Sequence, residues 1–368
     1  MKISIEKEEL IRGLSTVKGT AYVNVSAFEN GKSDVHNGAV LMRYTDGAVK
    51  FITSNILTST VARVECECDV EGEMECDTEL LLGIAKMLEG KITLELKMDK
   101  ILVKGAKGKY EVTSIATYGF PVPKVVEGEK VTLDCDSLRE GIKTVSYAKS
   151  IKTPTELMGG MSLLCKGNVL RLTCLNGHRI AICNITCPKE FETVIPAVSM
   201  ERLTDILDEG TVDLTIGNTS AMAECGGTQR YMLLTDGKYF NIGSMLTDKY
   251  KTRIKVNREA LKSCMTRSRI MMKAEEKRPV IFSITDGEMS VELTGAYGTF
   301  RENIPIEKSG DDLEIGFNPE YISNALSAIR SEEETSDLYF AGTMAPLYIY
   351  DVARTYTHVI LPVNTVAR

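Results

Sequence analysis

Apolar residues alternate with polar ones over short runs along most of the chain, and only a few stretches carry the three-and-four spacing of a helix face. Lys2-Ile3-Ser4-Ile5-Glu6 is one such alternation, followed at once by an amphipathic stretch through Leu10. The same order returns at Lys130-Val131-Thr132-Leu133-Asp134, running into Leu138, and at Arg253-Ile254-Lys255-Val256-Asn257, running into Leu261. Each copy reads as a strand, then an Asp, Asn or Glu where a helix would be capped, then a helix. Leu10, Leu138 and Leu261 correspond, at offsets of 128 and 123 residues. A second helical pattern recurs at Asp77 to Leu88, Val198 to Leu207 and Pro319 to Arg330, aligned through Leu80, Met200 and Tyr321 at offsets of 120 and 121. Leu88-Glu89-Gly90 and Asp208-Glu209-Gly210 give two of these a glycine stop. Alternating runs follow the helices, as at Lys91 to Leu96, Ile101 to Lys104 and Tyr110 to Ser114.

These offsets describe a threefold tandem repeat. The predicted fold class is α+β, each repeat packing two helices on antiparallel sheets. Breaks near Gly119 to Gly128 and Leu246 to Thr252 predict modules at 1–127, 128–252 and 253–368. A length of 368 residues, 43% hydrophobic and 26% charged, suits several globular cores better than one.

One stretch stands apart. Leu170 to Cys183 is two apolar-alternating runs around Asn176-Gly177, a dipeptide that accepts the two positive φ angles of a type I′ hairpin turn. His178 and Arg179 then leave the turn on opposite faces of the returning strand. Taken alone, this reads as a solvated hairpin tip.

Charge adds a second feature. A net charge of −7 excludes a protein that grips nucleic acid with its whole surface, but not one with a local basic face. Arg258, Lys262, Arg269 and Lys273 recur at intervals of four, seven and four, which predicts one stripe along a helix. Arg139 and Lys143 lie one turn apart in another helix with Lys149 and Lys152 beyond, and the first helix offers Lys7, Arg12 and Lys18. Each set alone reads as a solvated face balanced by Glu8, Glu9, Asp136 and Glu140. Its return at the start of all three repeats favours a surface turned toward an anion.

The remaining chemistry narrows the function by subtraction. The ten cysteines include no Cys-x-x-Cys pair and none of the three histidines lies at ligand spacing from them, so they read as small hydrophobic residues in a reducing compartment, with no metal. Cys174 and His178 stand four apart across the hairpin, Ser309-Gly310 lacks the nucleophile-elbow pattern, and Asp311-Asp312 and Glu332-Glu333-Glu334 are solvated charge runs. No glycine loop cradles phosphate. A non-enzyme is expected, with no catalytic residue and no cofactor. No apolar run approaches the ~20 residues that span a bilayer, and the first residues lack a signal's basic head and apolar core. A cytoplasmic location without membrane contact is expected.

Four stretches carry a family resemblance: Asn176-Gly177-His178-Arg179-Ile180-Ala181, similar to an Asp-Gly-His-Arg-Leu-Ala motif; Phe317-Asn318-Pro319-Glu320-Tyr321, similar to Phe-Asn-x-x-Tyr; Met344-Ala345-Pro346-Leu347; and Val359-Ile360-Leu361-Pro362-Val363. In this order, on this repeat, the chain resembles the bacterial sliding clamps, the beta subunits of DNA polymerase III. The resemblance implies the DNA-clamp fold and a head-to-tail homodimer closing a ring of six modules, with helices lining the hole. The implied partners are double-stranded DNA, bound without regard to sequence, the replicative DNA polymerase, the clamp loader and other proteins with clamp-binding peptides. Carried over by position, the partner-peptide groove would be walled by Met158, Gly177, His178, Arg179, Ile180, Phe240, Met245, Asn318, Tyr321, Met344, Pro346, Val359, Leu361 and Pro362. Tyr321 and Leu361 could equally be core packing. The subunit interface would take Tyr110, Ile270 and Met271, and Lys7, Arg12, Arg139, Lys143, Lys149, Lys152, Arg258, Lys262, Arg269 and Lys273 would face DNA. The chain departs from the family at Gly237-Lys238-Tyr239-Phe240-Asn241-Ile242, which lacks a usual proline, at Ser244 and Asn364, where basic residues are customary, and between Val17 and Gly38. A ring-less clamp-like binding or inhibitor module is the alternative.

Overall fold

Strand positions follow the alternation of buried and exposed side chains. Ile3 and Ile5, Val131 and Leu133, and Ile254 and Val256 all turn inward from the strands that open the three predicted repeats, Lys2–Ile5, Glu129–Asp134 and Thr252–Asn257. The computed structural model describes residues 1–21, 36–55, 57–151, 155–330, 332–351 and 353–363. Among these residues every ladder between strands is antiparallel. The helices are α1 (Lys7–Lys18), α2 (Thr78–Met87), α3 (Cys135–Ser146), α4 (Glu156–Gly159), α5 (Ala197–Leu203), α6 (Arg258–Ser268) and α7 (Pro319–Ala328). The fold is α+β: a few helices lie on antiparallel sheets.

Capping is uneven. Asp77, Asn257 and Asn318 each place a side-chain oxygen on a first-turn backbone N–H of α2, α6 and α7. Glu6 sits at the same position of α1 and makes no such bond. The extra methylene of glutamate carries its carboxylate past the amides that a short Asp or Asn reaches, so the predicted cap holds at Asn257 and fails at Glu6.

The chain divides into two compact units. One comprises Met1–Asp136 and Ser199–Leu234. Its five-stranded sheet has the order Glu67–Val70, Lys2–Ile5, Ile92–Lys97, Lys100–Lys104 and Lys109–Thr113. Its eight-stranded sheet unites the two chain segments where Thr228–Leu233 pairs with Thr58–Glu65, Gln229 opposite Val61. Gly13 lets α1 rest directly on this sheet, since a Cβ there would fall 2.8 Å from the Phe51 ring. Leu10, Leu14, Phe51, Met74 and Leu94 share the core beneath.

The other unit comprises Ser137–Val198 and Thr235–Arg368 and is built on a twelve-stranded sheet. Arg179–Thr186 lies between Val169–Leu175 and Tyr356–Ile360, so a strand from the middle of the chain is hydrogen-bonded to one from its end. The 13-residue strand Gly298–Gly310 pairs with Glu288–Gly295 at one end and Thr252–Asn257 at the other. Phe282, Phe317 and Phe340 sit at the centre of the core it helps enclose. No helix among the described residues is long and apolar enough to cross a membrane.

A candidate peptide groove and the basic helices

The hairpin forms, one residue out of the predicted register. Leu175 pairs with Ile180, and the Asn176 N–H donates to the Arg179 carbonyl at 3.2 Å, so Gly177 and His178 occupy the centre of the turn. Gly177 alone takes a positive φ, 83°, the sign pattern of a type II′ turn rather than type I′. Asn176 is used differently: its side-chain oxygen accepts from the N–H groups of His178 and Arg179, at 3.1 and 3.2 Å. An Asx turn has taken the side chain whose tolerance of left-handed backbone motivated the other reading.

The displacement changes where the next two side chains go. His178 belongs to the turn, so strand alternation does not place it opposite Arg179. Both meet the same ring: His178 stacks on Tyr321 at 6.3 Å and 28°, and the Arg179 guanidinium lies 4.4 Å from the Tyr321 centroid and 5.0 Å from that of Tyr147. Arg179 is only 9% exposed. Its Nη2 donates to the Tyr147 carbonyl at 2.5 Å, while Nε and Nη1 have no hydrogen-bond partner. Burial lowers its pKa, against the opposing effect of Tyr147, Tyr321 and Glu320. The two rings supply the cation with π-faces in place of water.

Tyr147 and His358 support this patch from behind, and the sequence offered no signal for either beyond an isolated histidine in an apolar strand. The Tyr147 hydroxyl and His358 Nδ1 share a hydrogen bond of 2.9 Å. Burial pushes His358 down to about 3 and raises Tyr147, so the imidazole is neutral and the phenol keeps its proton at neutral pH.

The last strand closes the site. Ile180 pairs with Val359, Arg179 with Ile360, and the Leu361 N–H donates to the His178 carbonyl at 2.9 Å. Met158, Ile180 and Phe240 pack around Leu175, Ile182, Val194, Tyr239 and Ile242. Ile180 and Leu246 also belong to an adjoining cluster of Tyr339, Tyr348, Tyr350 and Val359, which joins the two apolar groups into one floor. Asn318 caps α7 and accepts from the Glu320 N–H at 2.9 Å, setting Tyr321 on that helix's first turn. The Met245 carbonyl accepts from the Tyr348 hydroxyl at 3.3 Å. Met344 and Pro346 lie on the loop leading into Leu347–Tyr350, and Pro362 follows Leu361. Exposed apolar surface remains at Met245, Met344 and Leu361, which are 45%, 63% and 41% accessible. Tyr321 is half-buried against the neighbouring core, so packing and surface display coexist there, whereas Val359 is buried outright.

Comparison with known proteins identifies the family. The profile of the DNA polymerase III beta subunit central domain matches residues 132–241, and that of its C-terminal domain matches residues 244–364. The chain belongs to the DNA polymerase III beta subunit family. The Pseudomonas putida beta sliding clamp is 24% identical over 344 residues, spanning 90% of this chain and 92% of that protein. The Salmonella typhimurium beta sliding clamp is 22% identical over 376 residues, spanning 99% and 100%. A solved DNA polymerase III beta subunit from Eubacterium rectale superposes with a TM-score of 0.93 at 26% identity, over the full length of both chains. The beta subunit is a non-catalytic processivity factor, and this chain is not an enzyme. Met158, Phe240 and the hairpin fall within the beta subunit's central-domain match, and Met245 through Pro362 within its C-terminal match.

The basic side chains singled out in the sequence are exposed or half-buried and mostly engaged locally. Lys7 donates to the Lys86 carbonyl at 3.1 Å, and Arg12 pairs with Glu9, Lys18 with Glu79, Lys143 with Glu140 and Lys262 with Glu259. Exposed pairs of this kind are worth about 0–1 kcal/mol each. Arg139 and Lys149 are half-buried, on α3 and just beyond it, and Lys152 lies outside the described residues.

The predicted four-membered stripe does not form. α6 stops at Ser268, whose hydroxyl bonds back to the Met265 carbonyl at 2.9 Å, and Arg269–Met271 tightens into a 3-10 turn. The Met271 carbonyl then accepts from the Tyr297 N–H at 3.1 Å, close enough to Gly295 that a Cβ there would approach it to 2.3 Å. Only Arg258 and Lys262 of the four lie on the α-helix. Arg269 belongs to the 3-10 turn, 4.0 Å from Glu320, and Lys273 follows in the next turn. Ile270 is exposed and Met271 half-buried on the same segment, and Tyr110 is exposed on Lys109–Thr113.

Proposed function

We propose that this chain is a sliding clamp for DNA replication: two copies join head to tail into a closed ring that encloses duplex DNA and tethers the replicative polymerase. Each chain would contribute three modules, 1–127, 128–252 and 253–368. Tyr110 of one copy would meet Ile270 and Met271 of the other. Lys7, Arg12, Arg139, Lys143, Lys149, Arg258, Lys262, Arg269 and Lys273 would face the phosphates. Few, exchangeable contacts to the backbone carry no sequence information, which permits sliding. A clamp loader would open the ring, and work in the cytoplasm follows from that role.

The observation that carries the reading is the apolar floor shared by the hairpin and the last strand, flanked by the His178-Arg179-Tyr321 patch, together with the exposed apolar side chains of Met245, Met344 and Leu361. Adaptable apolar walls with a few polar anchors suit a short hydrophobic peptide. A polymerase held through such a peptide rebinds the primer end at high effective concentration rather than diffusing away. The test is retention on circular DNA after loading, with release when the circle is cut. A chain that stays monomeric at micromolar concentration, or remains bound after cutting, would instead favour a ring-less binding module.

A further inference from the structure

Ten cysteines are many for a chain whose function uses none, and two of them touch. Cys135 opens α3 and Cys225 ends the strand Ser220–Cys225, both buried, with their sulfurs 3.7 Å apart. They belong to different segments of one compact unit, Cys135 to Met1–Asp136 and Cys225 to Ser199–Leu234. We propose that Cys135 and Cys225 form an oxidative modification site, a reversible disulfide made by a peroxide, which covalently joins the two segments of this unit.

Closing the gap means bringing the sulfurs from 3.7 Å to the bonded distance of about 2.05 Å. The backbone on both sides can yield. Cys225 pairs with Thr228 across Gly226-Gly227, two glycines with φ of 55° and 76° and open space where a Cβ would stand. The Cys135 N–H donates to the carbonyl of Gly210, another glycine with positive φ, 93°, and open surroundings. Glycine turns absorb small shifts at little steric cost. Burial limits the reaction to a small oxidant, or to moments when the Gly226-Gly227 tip opens.

The chemistry balances with hydrogen peroxide as oxidant. One thiolate attacks a peroxide oxygen, giving a sulfenic acid and releasing hydroxide, which takes up the thiol's proton to become water. The second thiol displaces the sulfenic hydroxyl as another water, leaving a sulfur–sulfur bond. Two thiols lose two electrons and two protons in all, and the peroxide is reduced to two waters. A dithiol reductant reverses the step.

The test uses the full-length chain under native conditions, treated with hydrogen peroxide and then alkylated. Before alkylation the intact mass should fall by about 2 Da, and after it a non-reducing peptide map should join the peptides containing Cys135 and Cys225. Dithiothreitol should restore the mass, and the oxidised chain should melt at a higher temperature than the reduced one. Cys225→Ser, checked for folding by its melt, should lose this cross-link. A map of the wild-type chain that joins Cys165 to Cys187 instead, or finds only over-oxidised single cysteines, or yields the Cys135–Cys225 link only after urea, would overturn the proposal.

Discussion

If the groove takes a hydrophobic peptide, its affinity should depend on the apolar surface that the folded chain still exposes there. Leu361 is 41% accessible and Met344 63%. Fully burying a side chain of this size is worth about 1.5–3 kcal/mol. Covering what remains should therefore yield about 0.6–1.2 kcal/mol at Leu361 and about 1–1.9 kcal/mol at Met344. Leu361→Ala should accordingly weaken binding roughly 3- to 8-fold, and Met344→Ala roughly 5- to 25-fold. The assay is isothermal calorimetry with a short hydrophobic peptide, beside a thermal melt of each variant. The part of each side chain already covered supports the fold on the same scale, by about 0.9–1.8 kcal/mol at Leu361 and about 0.6–1.1 kcal/mol at Met344, so Leu361→Ala should lower the melt more than Met344→Ala while costing less affinity. The binding losses should add in the double variant unless the two positions touch one residue of the peptide. Unchanged affinity in both single variants would show that the peptide goes elsewhere. An affinity loss that tracked a fall in melting temperature would show that these residues support the fold and not the ligand.

Two further outcomes test the architecture. His358 holds its pKa near 3 by burial, against an ordinary 6.5, so below pH 6.5 the unfolded chain takes up a proton that the folded chain refuses. Stability should fall with acid at up to about 1.4 kcal/mol per pH unit from this residue. Between pH 6.5 and 5, before most carboxylates titrate, His358→Gln should flatten the slope of the urea midpoint, and an identical slope in the variant would refute the assignment. At the caps, Asn257→Ala should cost about 1 kcal/mol in chemical denaturation, and Glu6→Ala no more than about 0.5 kcal/mol. Equal losses would mean that the hydrogen bond from the Ala260 N–H to Asn257, 2.9 Å long, contributes nothing.

The repeat-opening strands and helices were legible because their signals are local. An alternating run with Ile254 and Val256 inward, a capping Asn257 and an amphipathic stretch can each be read within about ten residues, and all three appear in place. The errors came where a local pattern was extended beyond the element that carried it. Arg258 to Lys273 keeps helical spacing for longer than the helix lasts, because Ser268 and the Met271 carbonyl end it through contacts that leave no periodic trace. Asn176-Gly177 suits a turn of either register, and the pairing of Leu175 with Ile180 selects the one in which Asn176 caps instead of bending.

The candidate site was legible only through its family resemblance, for a physical reason. Its floor joins Met158, Ile180 and Phe240 to Val359, residues far apart in sequence whose adjacency depends on Arg179–Thr186 pairing with Tyr356–Ile360. Hydrophobic periodicity specifies that each strand has an inner face, but not which distant strand completes it. The same pairing produces what neither periodicity nor resemblance indicated, a buried Arg179 held between Tyr147 and Tyr321 with only one hydrogen bond to a carbonyl. A guanidinium taken from water at such cost persists only where the surrounding structure fixes it. Here the hairpin, the end of α3 and the start of α7 all converge on that side chain, so the one residue that joins the three elements is also a neighbour of Tyr321 in the candidate site.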